Sequence, residues 1–169
     1  MVRMQCPASL RKYGFCGILA TIYAARLPMP TSIEKLETLL KEVKQVLSMS
    51  KSKWGKVAHK TKGAISFSDT INLLNHYKNC EYELLSNCQE NGTPTLNKWI
   101  KSVTANTCYI VHVKRHALFV EVGAVKSKWR VYDQSGVHTK DNTDFMQKKG
   151  GYGRKKLKAV IKITYIKAS

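Results

Sequence analysis

The chain has 169 residues, with 29 Lys and Arg against 11 Asp and Glu, and a formal net charge of +18. This length and the 43% apolar content suit one domain with one buried core, while only 10 Gly and 4 Pro exclude collagen-like repeats and wholesale disorder. So large a basic surplus is no requirement of folding; it points to partners such as nucleic acid, acidic proteins or anionic surfaces.

In chain order, residues 1–13 read as an irregular start. Arg3, Arg11 and Lys12 followed by the apolar run 15–25 have the outline of a signal peptide. The run has only 11 residues, short of the roughly 20 that cross a bilayer. Being apolar all round, residues 14–25 read instead as a helix buried within a core, ended by Pro28 and Pro30. Thr31-Ser32-Ile33-Glu34 has capping-box spacing, and Ile33, Leu36, Leu40, Val43 and Leu47 continue as the apolar stripe of a second helix.

Residues 48–63 differ in kind. They carry Lys51, Lys53, Lys56, Lys60 and Lys62 with no acidic residue, and read as a basic loop or insertion. Ser68 as N-cap, with Asp69 in the first turn, opens a third helix through Ile71, Leu74 and Tyr77. A short strand over 82–85 follows. Thr93-Pro94 then opens a helix with proline in its first position and Leu96, Trp99, Ile100 and Val103 as its buried stripe.

From residue 108 the period switches to two. Strands are predicted over 108–113, 116–122 and 129–132, and over 157–167, where Leu157, Ala159, Ile161, Ile163 and Tyr165 share one face and Lys158, Lys162 and Lys167 the other. Helices first and an antiparallel sheet after give an α+β fold of two segregated layers spanning 1–169, without internal repeats.

The five cysteines are Cys6, Cys16, Cys80, Cys88 and Cys108, and no pair has the C-x2-C spacing of a metal or redox site. Neither metal nor cofactor is expected. An odd, unpatterned set suits free thiols in a reducing compartment: cytoplasm, nucleus, or a virion assembled there.

Cys16 stands at the start of the buried helix, where unpaired backbone donors and partial positive charge stabilise a thiolate and, later, an oxyanion. Gly17 beside it leaves room for a substrate backbone. His116 opens one predicted strand and Asp133 follows the end of the next, 17 positions on. Two antiparallel strands joined by a short turn bring those ends together, so the order supplies nucleophile, base and orienting group. Singly, Cys16 reads as packing and residues 133–136 as an ordinary turn. Order, spacing and placement together point to chemistry.

Gly14-Phe15-Cys16-Gly17-Ile18-Leu19-Ala20, then His116-Ala117-Leu118-Phe119-Val120-Glu121-Val122, then Trp129-Arg130-Val131-Tyr132-Asp133 resembles a compact papain-like cysteine peptidase. The nearest likeness is to double-glycine leader peptidases and their relatives in phages and large DNA viruses, in order and topology over residues 13–136. The resemblance implies a papain-like fold, with the nucleophile helix packed on a C-terminal antiparallel sheet, and hydrolysis of a peptide or isopeptide bond. Cys16 would attack, His116 would act as base and then acid, and Asp133 would orient His116. The family's second oxyanion donor is typically a Gln about six positions before the cysteine. That place holds Leu10, which leaves Gln5, eleven positions back, as the candidate. His112 competes with His116 but lies inside a strand; His59, His76 and His138 read as solvent or packing histidines.

Two further readings stay open. One is a weak or silent papain-like domain serving as a basic structural component of a virion or beside nucleic acid; the other is a small-molecule acyltransferase on the same fold. Residues 51–62 carry five Lys and residues 148–167 eight Lys and Arg. Gly150-Gly151-Tyr152-Gly153-Arg154-Lys155-Lys156 interleaves an aromatic with glycines and basic groups, so Lys51, Lys53, Lys56, Arg154, Lys155 and Lys156 are candidates for unspecific contact with nucleic acid or an acidic protein. The expected substrate is a protein or peptide, virion proteins are candidate partners, and no membrane span is predicted.

Overall fold

A stretch with no polar face has to be covered on every side, and in α1 (Cys16–Ala25) every residue from Gly17 to Ala25 is buried. The computed structural model describes residues 3–49, 65–85, 93–141, 143–149 and 151–165. α1 stops before the prolines are reached: Arg26 turns left-handed at φ 54° and its N–H bonds back to the carbonyls of Ile22 and Tyr23.

α2 (Ile33–Met49) starts from Ser32, whose Oγ accepts from the Lys35 N–H at 3.2 Å. The predicted capping box built on Thr31 and Glu34 is therefore replaced by a single serine cap one residue later. The full box belongs to α3 (Phe67–Tyr77), where Ser66 and Asp69 exchange backbone and side-chain hydrogen bonds. Ser68, the predicted N-cap, lies inside the helix. α4 (Leu96–Trp99) begins two residues beyond Pro94, because Thr95 bridges Lys156 and the Pro94 carbonyl accepts from Leu157 N–H. Those contacts hold residues 94–95 extended.

Among the described residues six strands, β1 (Glu81–Leu85), β2 (Cys108–Val113), β3 (His116–Val122), β4 (Trp129–Asp133), β5 (Gly136–Thr139) and β6 (Leu157–Thr164), form one sheet in the order β1-β6-β2-β3-β4-β5. Every neighbouring pair is antiparallel. β5 and the short α5 (Thr143–Met146) were not predicted. β6, the predicted C-terminal strand, fills the interior position between β1 and β2.

The sheet is apolar on both faces, so the expectation of two layers is corrected to a sheet covered on each side. Cys108, Ile110, Ala117, Phe119, Tyr132 and Ile161 pack with α1, α2 and α3. On the opposite face Tyr109, Val111, Leu118, Val120, Trp129 and Val131 pack with Leu96, Ile100, Phe145 and Met146. The unbroken buried runs Tyr109–Val111 in β2 and Ala117–Val120 in β3 are what a doubly covered sheet requires. β6 departs from its predicted alternation because the register slips between the partners of His112 and Val113. That bulge turns Leu157 to the second face while Ile161 and Ile163 keep to the first.

Of the predicted basic segment, Ser48 and Met49 complete α2; Lys51, Lys53 and Lys56 lie outside the described residues. No helix among the described residues is long and apolar enough to cross a membrane.

Candidate active site

β3 and β4 pair from Phe119↔Tyr132 to Val122↔Trp129. Continued toward the start of β3, that register sets Asp133 across from Leu118, two residues from His116 on the same sheet face. Diagonal neighbours of this kind meet when their side chains are long enough, and His116 Nε2 lies 3.1 Å from Asp133 Oδ2. Cys16 arrives from the other layer, at the first residue of α1, which packs on β3. The bond to Asp133 occupies Nε2, which leaves Nδ1 for the sulfur. Three groups distant in sequence thus meet at one end of the sheet.

Burial is the largest influence on the Cys16 thiol and acts to raise its pKa. A hydrogen bond with His116, the charge of His116, and the N–H groups of Ala117 and Gly17 together outweigh it, so the thiol ends below its ordinary value. Burial likewise pulls His116 down, but hydrogen bonds to Asp133 and Cys16 carry it up to about 9. Asp133, although burial works against its charge, is held well below the usual carboxylate range by His116, His138 and Ser135. At neutral pH these directions favour a thiolate–imidazolium pair backed by a carboxylate. The other cysteines among the described residues, Cys6, Cys80 and Cys108, are also free thiols, and burial raises the pKa of each.

α1 has no side-chain cap at Phe15, so its first-turn N–H groups are not taken by a capping oxygen. Gly17, expected to admit substrate, is already in use: a Cβ there would overlap Cγ1 of Ile65. The glycine lets Ile65 pack beside Cys16. Gln5 is exposed, its Oε1 3.1 Å from where a Cβ on Gly136 would stand, against the turn that follows Asp133. In the same turn the Gln134 amide donates to the Tyr13 carbonyl, which ties the loop ahead of Cys16 to the loop after Asp133.

Four residues were missed. Tyr152 stacks on His116 with centroids 4.2 Å apart. Phe145 stacks on His138 at 3.8 Å and 8°. His138 Nε2 and Ser135 reach Asp133 Oδ1. His138, taken from the sequence as a solvent or packing histidine, is therefore a direct partner of the candidate triad. Recognising β5 would have found it, since Gly136 pairs with Asp133 and His138 follows two residues on, on the same face.

Tyr152 changes role as well: its ring lies on His116 and is not presented for base stacking. Gly153 is buried, and a Cβ there would overlap the Met146 carbonyl, so this glycine serves packing. Arg154 and Lys156 are exposed, and Lys155 Nζ lies 4.8 Å from the Tyr152 ring centroid. His112 is half-buried beside Thr70 and Phe67, its pKa pushed down to about 4 by desolvation and then by His116. His76 lies at the surface beside Glu42, and His59 falls outside the described residues.

Among the described residues no group of three or more His, Cys, Asp or Glu could hold a metal ion. A cavity of about 770 Å³ opens at the far end of the sheet, where β3 finishes, and is lined by Arg3, Glu121 and Arg130 among others, with no member of the triad. Cys16, His116 and Asp133, the groups with perturbed pKa values, converge at the opposite end. No protein-family profile, no curated protein and no solved structure matches the chain.

Proposed function

We propose that the chain is a papain-like cysteine peptidase that cleaves a peptide or isopeptide bond in a protein substrate. The observation that carries this reading is the convergence of Cys16, with its lowered thiol pKa, on His116 and, through it, on Asp133 at 3.1 Å. The Cys16 thiolate attacks the amide carbonyl, forming a C–S bond while the carbonyl electrons move onto oxygen. N–H groups at the start of α1 face the resulting oxyanion, with Gln5 as the candidate side-chain donor. As the C–N bond breaks, His116 gives its proton to the leaving amine. Water, deprotonated by His116, then splits the thioester, releasing a carboxylic acid and restoring the thiolate.

The basic surplus describes the setting of this activity. A reducing compartment keeps the thiols free, and a nucleic-acid-rich surrounding such as a virion interior matches the charge. The reading as a basic structural or nucleic-acid-associated component retains the exposed Arg154 and Lys156 but loses its aromatic, because Tyr152 is engaged with His116.

The experiment is alkylation of the intact protein with iodoacetamide at pH 6, mapped by peptide mass spectrometry. Cys16 is expected to label first, at least about tenfold faster than the other four thiols, with the lead lost in His116→Ala. Equal slow labelling of all five cysteines overturns the proposal.

A further inference from the structure

We propose that His138 and Ser135 are positioning residues that lock one oxygen of Asp133 so that the other stays on His116. The inference rests on the peptidase reading above. A carboxylate turns easily about its last torsion, and one hydrogen bond to an imidazole does not by itself fix it. Here the two oxygens are unequally engaged. Oδ2 meets His116 Nε2 at 3.1 Å, while Oδ1 meets Ser135 N at 2.8 Å, Ser135 Oγ at 2.6 Å and His138 Nε2 at 3.0 Å.

The protons in this cluster can be assigned by elimination. An ionised carboxylate only accepts, so the Ser135 hydroxyl, 2.6 Å from Oδ1, donates to it. That turns an Oγ lone pair toward His138 Nε2, 2.9 Å away. His138 Nε2 then faces two acceptors, Oγ and Oδ1, and must itself carry a proton, since a bare nitrogen would set lone pair against lone pair. His138 is thus an N–H donor to the far side of Asp133, with Ser135 supplying a backbone and a hydroxyl donor to the same oxygen.

The clamp is itself held. β5 pairs Gly136 with Asp133 and so returns the chain beside the carboxylate. Phe145 lies flat on the His138 ring, and its own ring is 5.6 Å from that of Tyr152, which covers His116. Two imidazoles share one carboxylate, each under an aromatic ring, and the two aromatics are neighbours. The effect is to keep the Oδ2–Nε2 axis fixed, so that Nδ1 of His116 keeps its direction toward the sulfur.

The test reads the pH profile of Cys16 alkylation by iodoacetamide between pH 4 and 9. The titratable groups facing His116 are Cys16 from α1, Asp133 from β4, His112 from β2 and Tyr152 from the segment before β6; the variants alter none of them. Wild-type protein must first show fast labelling on the acid side; if it does not, the peptidase reading has failed independently of the clamp. Given that behaviour, His138→Leu is expected to move the Cys16 profile toward higher pH and cut the rate at pH 6 about tenfold. His138→Gln, which restores an N–H donor, is expected to recover to within about threefold of wild type. A His138→Leu profile that superimposes on wild type, or a His138→Gln protein as slow as His138→Leu, overturns the proposal. Should thermal melting show that His138→Leu does not fold, Ser135→Ala carries the same test. An expected slowing of about threefold at pH 6 supports the clamp, and an unchanged profile overturns it.

Discussion

The ring of Tyr152 lies on the ring of His116, centroids 4.2 Å apart and planes 23° from parallel. On the proposed peptidase reading His116 exchanges protons with sulfur on one side and leans on a carboxylate on the other, so it must not swing, and the stacked phenol restrains it. Aromatic contacts of this kind contribute about 0.5–1.5 kcal/mol beyond the area they bury. Tyr152→Ala is therefore expected to slow iodoacetamide labelling of Cys16 at pH 6 about 3- to 10-fold, with Tyr152→Phe close to wild type. Equal losses in both variants would assign the effect to the hydroxyl and not to the ring.

Asp133 is expected to make stability depend on pH in acid. Its folded-state pKa lies below its ordinary value, so its contribution to stability is complete above about pH 4 and is lost as pH falls through the folded value. The melting temperature of the wild type is expected to fall by several degrees between about pH 5 and 2, more steeply than that of Asp133→Asn. The same substitution replaces the carboxylate that helps raise His116 to about 9 with an uncharged amide, and on the proposed peptidase reading it is expected to cut peptide hydrolysis by about 10²–10⁴. Melting curves at successive pH values decide the first point. Parallel pH slopes for the two proteins would show that Asp133 carries no linkage.

Gly153 offers a test of how the cover over His116 is held. A Cβ at this position would stand 2.6 Å from Asn97 Oδ1 and overlap the Met146 backbone. Backbone on the far side cannot yield as a side-chain tip does. Gly153→Ala is expected to cost about 1–3 kcal/mol, read as a lower denaturant midpoint, and to slow Cys16 labelling by displacing Tyr152. A variant with unchanged stability would mean that residues 151–154 shift freely.

The basic groups at 154–156 predict a salt effect. Each Lys or Arg that neutralises a phosphate contributes about 0.7 to the slope of log K against log salt for a single strand. If Arg154, Lys155 and Lys156 all contact a single-stranded oligonucleotide, replacing the three with Glu should reduce that slope by about 2. A slope unchanged by the triple substitution would remove these residues from the nucleic-acid surface.

Where residue pattern and environment agree, the sequence was legible. β2, β3 and β4 follow from apolar runs, and the approach of His116 to Asp133 from their placement at element ends. What was illegible depends on long-range partners. Leu157 shares its parity with Ile161, yet a bulge sends it to the other face, and no local signal announces a bulge. β5 has only four residues, too few for alternation to register, and its loss hid His138. Glycine was the misleading residue: Gly153 beside Tyr152 reads as part of a basic contact motif but is a packing point. Gly17 reads as an opening for substrate, but Ile65 occupies the space. A sequence shows that a side chain is missing and not what fills the gap.

The place of β6 sets an order of assembly. β1 stands at the sheet edge with β6 as its neighbour, so these strands can join only after residues 157–164 have left the ribosome. The β2 to β5 meander has its own ladders and can form earlier, bringing His116 and Asp133 together. Tyr152 and the strand that locks β1 to the sheet come last. During synthesis, then, His116 and Asp133 can meet while Tyr152, which covers His116, has not yet been added.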